Sequence, residues 1–149
     1  MMRTPRLQAD EKTDELVTIT RRTDRWRLLR LVLAVQGFFY ALTGLWPFLH
    51  LSSFVRVVGE KRDIFQLDVT SALIVVIGAV LLLAALRRRP DASAVALGVG
   101  SALAFVLMEL RFRHTVRGVF WLDFAVELIF ALVLAAIYLA ASWQERRRR

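Results

Sequence analysis

Polar and apolar positions separate into blocks along this chain. Four long apolar runs, at about residues 28–49, 64–86, 92–110 and 119–143, stand between short stretches that hold most of the charge. Each run is close to the roughly 20 residues that carry a helix across a ~30 Å hydrocarbon core. None shows the alternation of apolar and polar positions expected of a lipid-facing barrel strand. Backbone groups in hydrocarbon must be paired within their own element, so the runs predict four transmembrane helices. The expected fold class is all-α: an integral membrane four-helix bundle with short loops, spanning residues 28–143.

The flanking segments are polar. Residues 1–27 are mixed in charge and contain Pro5, which predicts a largely disordered tail, with Thr23 or Asp24 capping the first helix. Residues 144–149 form a basic tail. The turn RRRPD at 87–91 predicts a tight hairpin between the second and third helices, with Pro90 and Asp91 opening the third. A cleaved signal peptide is not expected, because the polar leader is too long and no small-residue cleavage pattern follows the apolar run.

Composition narrows the chemistry. The 149 residues are 57% hydrophobic and include no cysteine, which excludes disulfides, thiolate catalysis and thiolate-held metals. Only His50 and His114 could supply imidazole, so no metal site is expected. The net charge of +8 would suggest nucleic acid in a soluble protein, but its distribution fits a membrane. Twelve basic residues (Arg21, Arg22, Arg25, Arg27, Arg30, Arg87, Arg88, Arg89 and Arg146–Arg149) flank one side of the runs. Six, Arg56, Lys61, Arg62, Arg111, Arg113 and Arg117, flank the other. The positive-inside rule then puts both termini in the cytoplasm of a plasma (inner) membrane. Anionic lipid headgroups, and not nucleic acid, are the expected partners of the basic flanks.

Small and polar residues mark the faces that should meet, since helices in lipid associate through close packing and polar contacts. The first helix offers Gln36, Tyr40, Thr43 and Pro47 with Gly37 and Gly44; the second offers Asp68, Ser71 and Gly78. The third offers Ala94, Gly98 and Ser101 with Gly100 and Ala104, and the fourth Asp123, Glu127, Ala131, Ala135 and Tyr138. Trp46, Trp121 and Trp143 fall near span ends, where they are expected as interfacial anchors.

With this topology the acids of the spans gather at the outer third. Asp68 lies one turn into the second helix, Glu109 ends the third, and Asp123 and Glu127 share a face of the fourth; His50 closes the first. Glu127 is ~12 Å deep by helical rise. A charge there costs about 2.5 kcal/mol or more unless it is paired, which makes it a functional candidate. The plainer reading is a salt-bridged cap, with Glu109 and Arg113 as an i, i+4 pair.

The run ending GLWPF, the short loop FVRVVGEKRD and the small-residue-rich second helix resemble the small four-helix bacterial membrane proteins of the DoxX-like families. The resemblance covers residues 28–142. It implies a four-helix membrane fold; the named members are linked to quinone-dependent sulfur oxidation, and the resemblance assigns no catalytic residue.

The expected function is a non-catalytic or accessory multi-pass membrane protein. Its outer-leaflet pocket, formed by Tyr40, His50, Asp68, Glu109, Asp123 and Glu127, would hold a lipid-like or quinone-like molecule. The alternatives are a proton- or cation-coupled transporter acting as a homodimer, an enzyme using the Asp123–Glu127 pair as acid and base, and a purely structural partner subunit.

Overall fold

The computed structural model describes residues 5–59, 63–114 and 118–146, with side chains between 24 and 143 of those spans. It is built from four helices: α1 (Pro5–Val58), α2 (Ile64–Leu86), α3 (Ala92–Arg111) and α4 (Val119–Arg146). All four are long and apolar enough to cross a membrane. No strand occurs among the described residues.

Side-chain carboxylates start two of the helices. Asp63 accepts from the Gln66 backbone N–H at 3.0 Å to cap α2, and Asp91 accepts from that of Ala94 at 2.9 Å to cap α3. Each satisfies an N–H that the first helical turn leaves free. Asp91 also receives Arg87 at 2.9 Å, which closes the turn between the two helices.

Helix α1 departs from expectation at both ends. No cap occurs at Thr23 or Asp24, because the helix runs unbroken through both from Pro5. Residues 1–4 of the expected tail, and 147–149 of the basic one, lie outside the described residues. At the other end the backbone leaves helical geometry at His50 (φ −155°, ψ 72°) and a short second segment continues to Val58. His50 is the cap of that segment: its Nδ1 accepts from the Ser53 N–H at 3.2 Å, and its carbonyl accepts from Ser53 Oγ at 2.9 Å. Trp46 Nε1 donates to the same Ser53 Oγ at 2.7 Å. The stretch expected as a loop therefore begins as helix, and ends at Gly59. There φ is 103°, a left-handed conformation that favours glycine, and the N–H bonds to Val55 O at 2.8 Å.

The helices alternate in direction, so the start of α1, the α2–α3 turn and the end of α4 share one end of the bundle, here the terminal end. The other is the loop end. Packing is unequal. Helix α1 packs extensively on α2 and also on α4, and α3 packs on α4; the α2 backbone approaches α3 at few points and does not come close to that of α4. The hairpin expected between α2 and α3 is thus a tight connection without a tight helix pair.

The α1–α2 seam is close enough for backbone to meet backbone. A Cβ placed on Gly78 would lie 2.7 Å from both Gly37 O and Ala41 N, and one on Gly44 would lie 2.8 Å from Ser71 O. Removal of side chains at these positions allows the contact that drives association in lipid. Outward-facing residues are apolar: Phe38, Leu49, Phe65, Leu86, Leu122 and Leu139 are among the most exposed. Such an apolar exterior goes with helices long and apolar enough to cross a membrane.

Candidate functional site

Above its terminal end the core is apolar, with Leu29, Leu33, Leu81 and Leu134 fully buried. Toward the loop end polar groups replace it, and they form a chain. Gln36, one helical turn from Leu33, donates through Nε2 to the Gly98 carbonyl at 2.9 Å and to Tyr40 Oη at 3.2 Å. Tyr40 Oη donates in turn to Glu127 Oε2 at 2.6 Å. Tyr40 and Glu127 are each 1% exposed. The i, i+4 spacing of Gln36 and Tyr40 sets both on one face of α1, and Gly98 lets α3 come close. A Cβ there would lie 2.9 Å from Gln36 Oε1 and from Leu134 Cδ1.

Aromatic rings wall this chain. Phe105 meets Tyr40 edge-on at 5.7 Å between centroids, and Phe39 stands 6.1 Å from both Tyr40 and Phe130. Rings in this range attract one another beyond their burial and hold the phenol in place. Thr43 donates to Phe39 O at 2.8 Å, and Ser101, which stands beside the Tyr40 hydroxyl, donates to Leu97 O at 2.8 Å.

Glu109 is 9% exposed, and neither of its carboxylate oxygens has a hydrogen-bond donor among the described residues. Its nearest charged neighbours are Asp123 and, further off, Glu127. Two carboxylates have nothing to donate to each other; one proton between Glu109 and Asp123 makes one of them a donor and joins the pair. Asp123 is half-buried, and Glu127, one turn further along α4, is fully buried. The expected Glu109–Arg113 pair does not form. Arg113 Nε meets His114 Nε2 at 3.1 Å, and the Arg111 guanidinium lies over the Phe112 ring. Lys61, Arg62 and Arg117, also expected in the cap, lie outside the described residues.

Of the six residues expected at the site, the structure brings four together: Tyr40, Glu109, Asp123 and Glu127. Asp68 is half-buried on α2, whose backbone does not come close to that of α4, and no hydrogen bond or ion pair joins it to the other acids among the described residues. His50 is exposed and serves the helix cap. Trp46, expected as an anchor, uses its indole N–H to hold the same bend, while Trp121 and Trp143 are exposed as anchors should be. Gln36 belongs to the site although it was expected only as packing, and Phe39, Phe105 and Phe130 carried no signal that set them apart from the other seven phenylalanines. Among the described residues no three acids or histidines are grouped to hold a metal ion.

Fold and site together define a bundle of four helices, each long and apolar enough to cross a membrane, with a buried carboxyl–phenol–amide array at one end. No family model matches the chain, and neither does any curated protein or solved structure.

Proposed function

We propose that this is a membrane-embedded, non-catalytic or accessory protein that binds a lipid-like or quinone-like molecule at the loop end of the bundle. The observation that carries the reading is Glu109: a buried carboxyl beside the half-buried Asp123, where one shared proton serves at most one of its two oxygens and the other has no donor among the described residues. A buried acceptor left without a donor costs about 1–3 kcal/mol. A ligand whose head supplies a hydroxyl donor, such as a quinol or a hydroxylated lipid, recovers that cost. Its apolar body would lie along the exposed Leu107, Met108 and Leu122 at the same end. Apolar surroundings with a few converging polar groups are the usual character of such sites.

The twelve-to-six distribution of basic residues supports the cytoplasm for the terminal end, and hence the outer leaflet of a plasma membrane for the site. Kinship with DoxX-like proteins rests on the GLWPF and FVRVVGEKRD residues alone. Transport is a poorer fit, because the polar chain stops at Gln36 and the fully buried Leu29, Leu33 and Leu134 fill the core beyond it.

The test is native mass spectrometry of the protein in mild detergent, wild type beside Glu127→Gln. The reading expects a defined lipid-sized adduct on the wild type that is lost from the variant. Bare protein in both samples, or equal retention, overturns it.

A further inference from the structure

A groove of about 500 Å³ lies at the terminal end, between α1 and α2, remote from the acidic site. Its volume falls in the ~300–1,000 Å³ range of small-molecule sites. Arg27 and Arg30 stand at one part of it; Leu31, Ala34, Leu82, Leu83 and Leu86 line much of the rest. No acid lines it. Arg30 donates through Nε to the Ala85 carbonyl at 2.8 Å, which fixes the guanidinium at the last turn of α2 and leaves its remaining N–H groups to point elsewhere. Arg27, one turn along, is exposed and makes no hydrogen bond or ion pair among the described residues. Leu31, Leu83 and Leu86 are more than half exposed, so the groove opens on the surface that faces lipid.

We propose that this groove is a binding site for one anionic phospholipid, with its phosphate between Arg27 and Arg30 and an acyl chain along the leucines. Charge complementarity selects an anion, and arginine provides planar pairs of donors that match phosphate oxygens. The apolar wall, open to hydrocarbon, selects a lipid over a free phosphate. The site differs from the diffuse attraction of the basic flanks, because it joins a fixed guanidinium to a shaped apolar channel. Arg88 and Arg89 share the end of the bundle but do not line the groove, and they supply the control.

The experiment is native mass spectrometry of the protein released from nanodiscs that contain equal phosphatidylglycerol and phosphatidylcholine. The expected result is a retained phosphatidylglycerol on the wild type. Its occupancy should fall about fivefold in Arg27→Gln, the effect of one basic residue at an anionic surface. Ala34→Trp fills the groove without altering charge and should abolish retention, whereas Arg88→Gln/Arg89→Gln should leave it unchanged. Inorganic phosphate in excess should not displace the lipid. Equal loss in the Arg88/Arg89 variant, full retention in Ala34→Trp, no preference for the anionic lipid, or displacement by phosphate would each overturn the proposal. Arg27→Gln removes no helix contact, so its loss of lipid cannot be an effect of unfolding.

Discussion

On the terminal side of Gln36 the core is Leu29, Leu33, Leu81 and Leu134, closed by arginines; on the loop side Tyr40, Glu127 and Glu109 are buried beside the half-buried Asp123, and neither oxygen of Glu109 receives a cation among the described residues. At the terminal end Arg25 donates to Ala140 O at 3.0 Å and Arg30 to Ala85 O, so a carbonyl in the last turn of α2 and one toward the end of α4 receive cations from α1. This is a favourable use of positive charge near a helix C-terminus. At the loop end the cations at Arg111 and Arg113 engage Phe112 and His114 instead of the acids. One half of the bundle is organised for packing. The other keeps polar groups in a costly setting, as functional sites in membrane proteins do.

The comparison can be broken most severely at the seam that holds both halves. Gly78→Leu drives a side chain into α1 backbone atoms that cannot move without parting the helices, and should cost at least about 3 kcal/mol. A large drop in thermal unfolding temperature in detergent, with loss of a single gel-filtration peak, is the expected outcome. Leu134→Ala probes the apolar half alone. It should cost about 2–5 kcal/mol through the cavity it leaves, and should leave adduct binding at the loop end intact.

In the polar half stability and binding should separate. Tyr40→Phe removes the donor to Glu127 and should destabilise by about 1–3 kcal/mol, since a buried acceptor loses its partner. Tyr40→Phe/Glu127→Leu replaces both partners by apolar groups and should recover most of that loss while remaining unable to bind. Unfolding curves for the single and double variants check the cycle. The smallest effect is expected at Gly100, where an added Cβ meets nothing within 4 Å. Gly100→Ala should raise stability by up to about 1 kcal/mol through helix propensity alone.

Much of this architecture was legible in the sequence. The apolar run at 64–86 matches α2 residue for residue, because Asp63 before it caps the first turn and Arg87 after it ends the apolar stretch. The small residues of α1 and α2 were recognisable as a contact face, and Gly37, Gly44, Ser71 and Gly78 do meet there. Which helices are neighbours was not legible. Asp68 is a carboxylate near the same end of its helix as the other acids, and the separation of the α2 and α4 backbones keeps it apart from them. His50 was misplaced for a local reason. Its imidazole caps a bend, and the two serines that follow it were the available signal, since Ser53 supplies the bonds that fix it. Gln36 was visible at i−4 from Tyr40, but its amide could equally have served packing until Gly98 and Glu127 were in place.

The claim at the centre of this account is that Glu109 is retained for binding and detracts from stability. The direct measurement is thermal unfolding of wild type and Glu109→Met in the same detergent, with native mass spectra of both. The account predicts that the variant unfolds at an equal or higher temperature and loses the wild-type adduct. An unfolding temperature that falls, with no adduct on the wild type, would show that Glu109 belongs to the structure of the bundle and would contradict it.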